Sequence, residues 1–112
     1  MHELSLTEKM LRLVLEQAEK HPGEITKIKL VLGDLSGIVP DCVAQYFRLI
    51  AAGTKAAGAR LEFRRQPAIL YCPICEWEFE KLPADFNCPR CGSLARLTES
   101  GRECFVESIE VE

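Results

Sequence analysis

The sequence predicts an α+β fold with a small inserted lobe, on three observations. Two stretches carry apolar residues at helical spacing. Three others alternate apolar and polar residues. Two matched Cys-Pro-x-Cys pairs interrupt this series before its last alternating stretch. The order is helix, strand, helix, strand, cysteine segment, strand, so the last strand is expected to rejoin the sheet of the first lobe. A length of 112 residues allows one ordinary domain or two small lobes. The division this suggests is residues 1–66 plus 101–112 as one α+β domain, with 67–100 as a metal-binding domain.

Ser5-x-x-Glu8 has the form of a capping box, in which serine and glutamate satisfy orphan donors at a helix start. Leu4, Leu11, Val14, Leu15 and Ala18 follow at helical spacing, and Leu6, Met10 and Leu13 widen the stripe. The spacing predicts a helix over 4–20, ended by His21-Pro22-Gly23. Ile28, Leu30 and Leu32 alternate with Lys27, Lys29 and Val31, a half-buried strand over 25–32. After a loop at 33–37, Pro40-Asp41 opens a second helix with Val43, Tyr46, Phe47 and Ile50 on one face. Gly53 stands where a left-handed cap would follow. Leu61 to Arg65 alternates as a second strand closed by Pro67. Phe105, Ile109 and Val111 are expected to share one face of a last strand.

Cys72-Pro-Ile-Cys75 and Cys88-Pro-Arg-Cys91 stand twelve residues apart, enough for a short hairpin that brings the pairs together. Four thiolates in a closed tetrahedron are the usual structural zinc arrangement and leave no open position for water or substrate. Iron is the main rival, since rubredoxin-like sites use two such pairs. Glu76 follows the first pair where Gly92 follows the second, so the match to that pattern is partial. A lobe of this size buries too little apolar surface to fold alone, so metal binding is expected to be coupled to its folding. Trp77 and Phe79 are read as a small core beside the cysteines.

Composition narrows the classes of partner. The balance of 47% hydrophobic and 28% charged residues is that of a globular chain. No apolar stretch approaches the ~20 residues that cross a bilayer. Glu8, Lys9, Arg12 and Glu16 break the apolar start, so no signal peptide is expected and the chain reads as cytoplasmic and without a membrane partner. In a reducing compartment the paired cysteines read as metal ligands, not disulfides. Net charge is −3, and 67–100 holds five carboxylates against three cations. A zinc tetrathiolate adds roughly two further negative charges. Phosphate-binding zinc modules need a basic face, so no nucleic-acid partner is expected.

His2 stands at the amino terminus. Its ring nitrogen closes a six-membered chelate with its own deprotonated amide nitrogen. The amine of Met1, or the amide of Glu3, extends this by a five-membered ring. Planar nitrogen sets of this kind suit Ni(II) or Cu(II) better than zinc. Alone, such a terminus is more readily read as solvated chain.

The opening Met1-His2-Glu3-Leu4-Ser5, the Val31-x-Gly33-x-Leu35-Ser36 loop, the paired C-x-x-C and the closing Ser108-Ile109-Glu110-Val111-Glu112 combine into one pattern. Over essentially its whole length the chain resembles the hydrogenase maturation nickel metallochaperone family (HypA/HybF). The resemblance implies two helices on a three-stranded sheet for the nickel lobe, and a separate zinc lobe. It implies Ni(II), carried as cargo, held by the His2 imidazole and by backbone nitrogens of residues 2 and 3, here His2 and Glu3. Met1 is a further backbone candidate. Asp41 matches by position an acidic residue proposed as a ligand or neighbour of nickel; a charge favourable at a helix N-terminus is the equal alternative. The implied partners are a maturation GTPase and a [NiFe]-hydrogenase large-subunit precursor, with urease maturation proteins served by some relatives. The chain has no G-x-x-x-x-G-K-[ST] of its own.

The reading is therefore a non-enzymatic nickel carrier with structural Zn(II) at Cys72, Cys75, Cys88 and Cys91. Its rivals are a zinc-ribbon adaptor that binds only proteins, and a rubredoxin-like iron electron carrier. Cys42 and Cys104 are read as buried free thiols. His21 is read as a surface residue, and Arg64-Arg65 as surface charge. No nucleophile with its base is recognisable.

Overall fold

The computed structural model describes residues 2–83 and 85–112. Its elements are α1 (Glu3–Gln17), β1 (Ile25–Gly33), α2 (Pro40–Ile50), β2 (Arg60–Gln66), β3 (Ile69–Cys72), β4 (Trp77–Glu80), β5 (Arg96–Leu97) and β6 (Cys104–Val111). They form two three-stranded sheets, ordered β2-β1-β6 and β4-β3-β5. The α+β class and the return of the last strand to the first sheet are as the sequence predicts. Among the described residues no helix is long and apolar enough to cross a membrane.

The chain divides into two compact units, Met1–Val31 with Gly37–Arg64 and Phe105–Glu112, and Leu32–Ser36 with Arg65–Cys104. The second takes in more than the cysteine segment. The loop after β1 joins it because Asp34 N donates to Gln66 O at 2.9 Å and Leu35 N to Gly101 O at 2.7 Å. Gly33 and Gly101 meet backbone to backbone there: a Cβ on Gly33 would lie 2.1 Å from Gly101 O.

In the first unit, α1 begins earlier and ends sooner than the spacing predicts. Leu6 N donates to His2 O, so His2 is the N-cap and Ser5 stands at the third helical position. The Ser5–Glu8 box therefore does not form the start. At the other end, a continued helix would need residue 22 to donate to Ala18 O, and Pro22 has no N–H. Lys55 takes its place: its Nζ donates to Ala18 O at 2.8 Å and also to His21 O. The buried stripe is Leu6, Thr7, Met10, Leu11, Val14 and Ala18, while Leu4 and Leu13 stay largely exposed. Thr7 satisfies its hydroxyl on Glu3 O at 2.6 Å.

Helix α2 starts at Pro40 and buries Val43 and Phe47, whereas Tyr46 is partly exposed. Its cap is Ala51 in right-handed conformation, and the left-handed Gly53 (φ 81°) turns the chain two residues later. Ile28, Leu30 and Leu32 of β1 are buried as expected, and so is Val31, so the strand is covered on both faces near its end.

The expected face of β6 is corrected. Cys104 and Val106 are half-buried, then Ile109 and Val111, with Phe105 left exposed. The alternation slips by one residue at Glu107–Ser108. A slip of this kind turns every following side chain to the other face, so Phe105 parts company from Ile109 and Val111. Lys27 on β1 links both neighbours, 3.2 Å from Glu62 and 3.7 Å from Glu110.

Candidate metal centre

In the second unit β3 pairs antiparallel with β4, placing Cys72 opposite Trp77 and Leu70 opposite Phe79. Each cysteine pair sits on a tight turn of the same construction. Glu76 N donates to Cys72 O, and Gly92 N to Cys88 O, both at 2.8 Å. The residue after each pair is left-handed: Glu76 at φ 56° and Gly92 at φ 77°. The different residue types at these positions thus adopt one backbone shape.

The turns bring the Sγ atoms of Cys72, Cys75, Cys88 and Cys91 within 4.8 Å of one another. Cys72 and Cys91 sulfurs are 3.6 Å apart, and those of Cys75 and Cys88 4.0 Å. A tetrahedron with metal–sulfur bonds near 2.3 Å has edges of about 3.8 Å, so these two separations match the edges of a tetrathiolate site. Cys72 and Cys88 are buried, with Leu70 and Phe79, while Cys91 is exposed.

Second partners hold the sulfurs in place. The amides of Cys75 and Arg90 point at Cys72 Sγ (3.3 Å) and Cys88 Sγ (3.4 Å). Trp77 Nε1 donates to Cys88 Sγ at 3.4 Å. The indole therefore does more than fill a core, a role that sequence missed. The Arg90 guanidinium lies 4.0 Å from the Trp77 ring centre and Phe79 stacks at 5.3 Å, which fixes the indole's tilt. Burial pushes the Cys88 thiol up, but the Trp77 indole and the amides of Cys91 and Arg90 outweigh it and bring it down to about 6. Hydrogen bonding to Cys91, then burial, pushes Cys75 up to about 12. Metal ligation by cysteine takes the thiolate form, which the hydrogen bonds at Cys88 favour.

The other candidate residues lie in the first unit. Met1 lies outside the described residues. His2 is exposed at the start of α1, and Glu3 is the first residue of that helix. Glu3 Oε2 accepts a hydrogen bond from Val39 N at 3.1 Å, so the terminus is fastened beside the start of α2. That bond holds the Glu3 carboxyl below its usual range. Asp41 is exposed in the first turn of α2, where a negative charge is favourable in its own right.

Cys42 and Cys104 are half-buried, not buried, and burial raises the Cys104 thiol. His21 is exposed. Arg64 pairs with Glu107 at 2.7 Å, and Arg65 with Asp34 at 2.7 Å and Glu80 at 3.2 Å, so both arginines are engaged within the chain.

The chain is 40% identical over 114 residues to the hydrogenase maturation factor HypA of Caldanaerobacter subterraneus subsp. tengcongensis, covering all of both sequences. It is 39% identical over 113 residues to that of Dehalococcoides mccartyi, covering all of this chain and 95% of the relative. Its fold is similar to the solution structure of the Ni metallochaperone HypA from Helicobacter pylori, with TM-score 0.66 at 23% identity over 99% of this chain and 97% of the other. A second solution structure of a HypA protein gives TM-score 0.70 at 23% identity, over 100% and 97%. Residues 1–111 match the family described as hydrogenase/urease nickel incorporation, metallochaperone, hypA. The chain with the exposed His2 terminus and the four-sulfur cluster belongs to that family of nickel metallochaperones.

Proposed function

We propose that this protein binds Ni(II) at its amino terminus and delivers it to a [NiFe]-hydrogenase large-subunit precursor, while Zn(II) on Cys72, Cys75, Cys88 and Cys91 holds the second unit folded. The division of labour is residues 1–66 with 101–112 for nickel and 67–100 for zinc. The observation that carries the nickel reading is the exposed His2 N-cap fastened beside α2 by Glu3. The His2 imidazole and the backbone nitrogens of His2 and Glu3 form the proposed donor set, with Met1 and Asp41 as further candidates. A planar nitrogen set at a chain end suits a transferable Ni(II), because it exchanges ligands without unfolding anything. The protein performs no catalysis of its own in this reading; a separate maturation GTPase supplies nucleotide hydrolysis, and urease maturation proteins are a second class of recipient. The family acts in the cytoplasm by this proposal, on newly made precursor.

The test is calorimetric Ni(II) titration of the untagged chain against His2→Ala, with zinc content and circular dichroism as controls. Specific nickel binding is expected to vanish in the variant while zinc and fold persist. Native-like nickel affinity in His2→Ala would overturn the terminal site. Cells carrying only that variant are expected to accumulate nickel-free hydrogenase precursor at limiting nickel, with partial recovery in excess nickel by mass action. Full recovery at limiting nickel would mean that the chain serves as an adaptor.

A further inference from the structure

Strand β6 ends the order β2-β1-β6, so one of its edges has no neighbouring strand among the described residues. An open groove of about 580 Å³ runs between that strand and α1. Leu13, Val14, Gln17 and His21 wall it on the helix side; Val106, Glu107, Ser108, Ile109 and Val111 wall it on the strand side. Leu13 is 43% exposed here although Val14 beside it is fully buried. The slip at Glu107–Ser108 is what brings Val106, Ile109 and Val111 to one groove, since strict alternation would divide them between faces.

The rest of the strand has a different character. Segment 103–112 carries four glutamates and no lysine or arginine. Glu107 and Glu110 have side chains 40% and 55% exposed. Glu107 pairs with Arg64, and Glu110 shares Lys27 with Glu62, on which Lys29 and Arg60 also act.

We propose that this edge accepts an extended segment of another protein, one alternating apolar with lysine or arginine side chains, as an added strand. A strand laid on the edge pairs its main chain with β6, and its side chains then point alternately to the two faces. One set enters the groove, against Leu13, Val106, Ile109 and Val111. The other lies next to Glu107 and Glu110, where opposite charges on neighbouring strands are favourable. A second copy of the chain is a poor occupant, because antiparallel self-pairing would bring these glutamates together. The surface is distinct from the His2 terminus, so the proposal stands or falls apart from the nickel site.

The experiment uses the full zinc-loaded chain, labelled for amide NMR, and the heptapeptide Lys-Val-Lys-Val-Lys-Val-Lys with a scrambled peptide of the same composition. The alternating peptide is expected to bind, to shift the amides of Val106–Val111 and of Leu13 and Val14, and to slow exchange of β6 amides. The scrambled peptide should bind roughly tenfold more weakly, the loss of several cross-strand pairs. Glu110→Gln should weaken the alternating peptide by about threefold. Glu107→Lys with Glu110→Lys should transfer preference to Glu-Val-Glu-Val-Glu-Val-Glu; if that double variant does not fold, the scrambled-peptide and Glu110→Gln comparisons decide. Equal binding of both peptides, shifts confined to other surfaces, or absence of binding would overturn the proposal. Concentration-dependent dimers with β6 amides protected would make a second copy the occupant and overturn it as well.

Discussion

The Glu3 carboxylate accepts a hydrogen bond from the Val39 amide, 36 positions away, at the N-cap of the other helix. One side chain thus closes an orphan donor of α2 from the first residue of α1. The terminus that carries His2 is held by this link and not by packing of His2 itself, which is exposed.

The link has an acid signature. Because the bond lowers the Glu3 carboxyl in the folded chain, its contribution is complete above the ordinary glutamate value near ~4.3 and is lost as pH falls through the lowered value. Glu3→Gln should therefore be less stable than the native chain at neutral pH, and the gap should close between about pH 5 and about pH 3. Urea midpoints across that window check it. A gap that stays constant with pH would show that the Glu3–Val39 bond is not formed in solution.

The four-sulfur cluster predicts about one zinc per chain by elemental analysis. Cys72→Ala and Cys91→Ala should each lose most of it and the ordered amides of the second unit, while the helical circular dichroism remains, since both helices lie in the first. Cys91 is the exposed member of the set. A water at its position should leave the milder defect, seen as slower metal loss to a chelator than in Cys72→Ala.

The paired left-handed residues permit a test of backbone strain. A residue with a side chain pays about 1 kcal/mol for that conformation and glycine does not. Glu76→Gly should accordingly stabilise the zinc-loaded unit by about 1 kcal/mol. Gly92→Ala should destabilise it by a similar amount, with no steric contribution, because a Cβ there has nothing within 4 Å. Thermal unfolding of the two variants should move in opposite directions.

The Gly33–Gly101 contact predicts a larger effect. A Cβ on Gly33 would stand 2.1 Å from a carbonyl oxygen that belongs to backbone, so no side chain can swing aside. Gly33→Ala should cost about 3 kcal/mol or more. Gly37→Ala, at φ 75° but with open space around it, should cost only about 1 kcal/mol. Equal midpoints for the two variants in denaturant would contradict the close approach.

Which features sequence revealed depends on how far apart their causes lie. The cysteine pairs were legible because each knuckle is a local turn, set by residues three apart. The apolar periods found both helices and the central strand for the same reason. The ends of α1 were misplaced because their determinants come from elsewhere: Lys55 closes one end from 37 positions away, and Glu3 ties the other to Val39. The face of Phe105 was misjudged because alternation alone does not announce a slip within a strand. The indole bond from Trp77 to Cys88 was likewise hidden, since it needs the hairpin to form before the two residues meet. An arginine inside the second knuckle, Arg90, was the available hint, as a cation placed to stack on a nearby aromatic ring.

Ser100 Oγ donates to Pro67 O at 3.1 Å, and Gln66 Nε2 to Ser100 Oγ at 3.3 Å. The chain departs at residue 67 and returns at residue 100 within the reach of one hydroxyl. An excursion whose two ends coincide behaves as a cassette. Its interior can lengthen, shorten or be exchanged for another module with neighbouring ends, without altering where β2 stops or β6 begins. Grafting foreign sequence between these two residues is therefore a natural way to build variants of this protein.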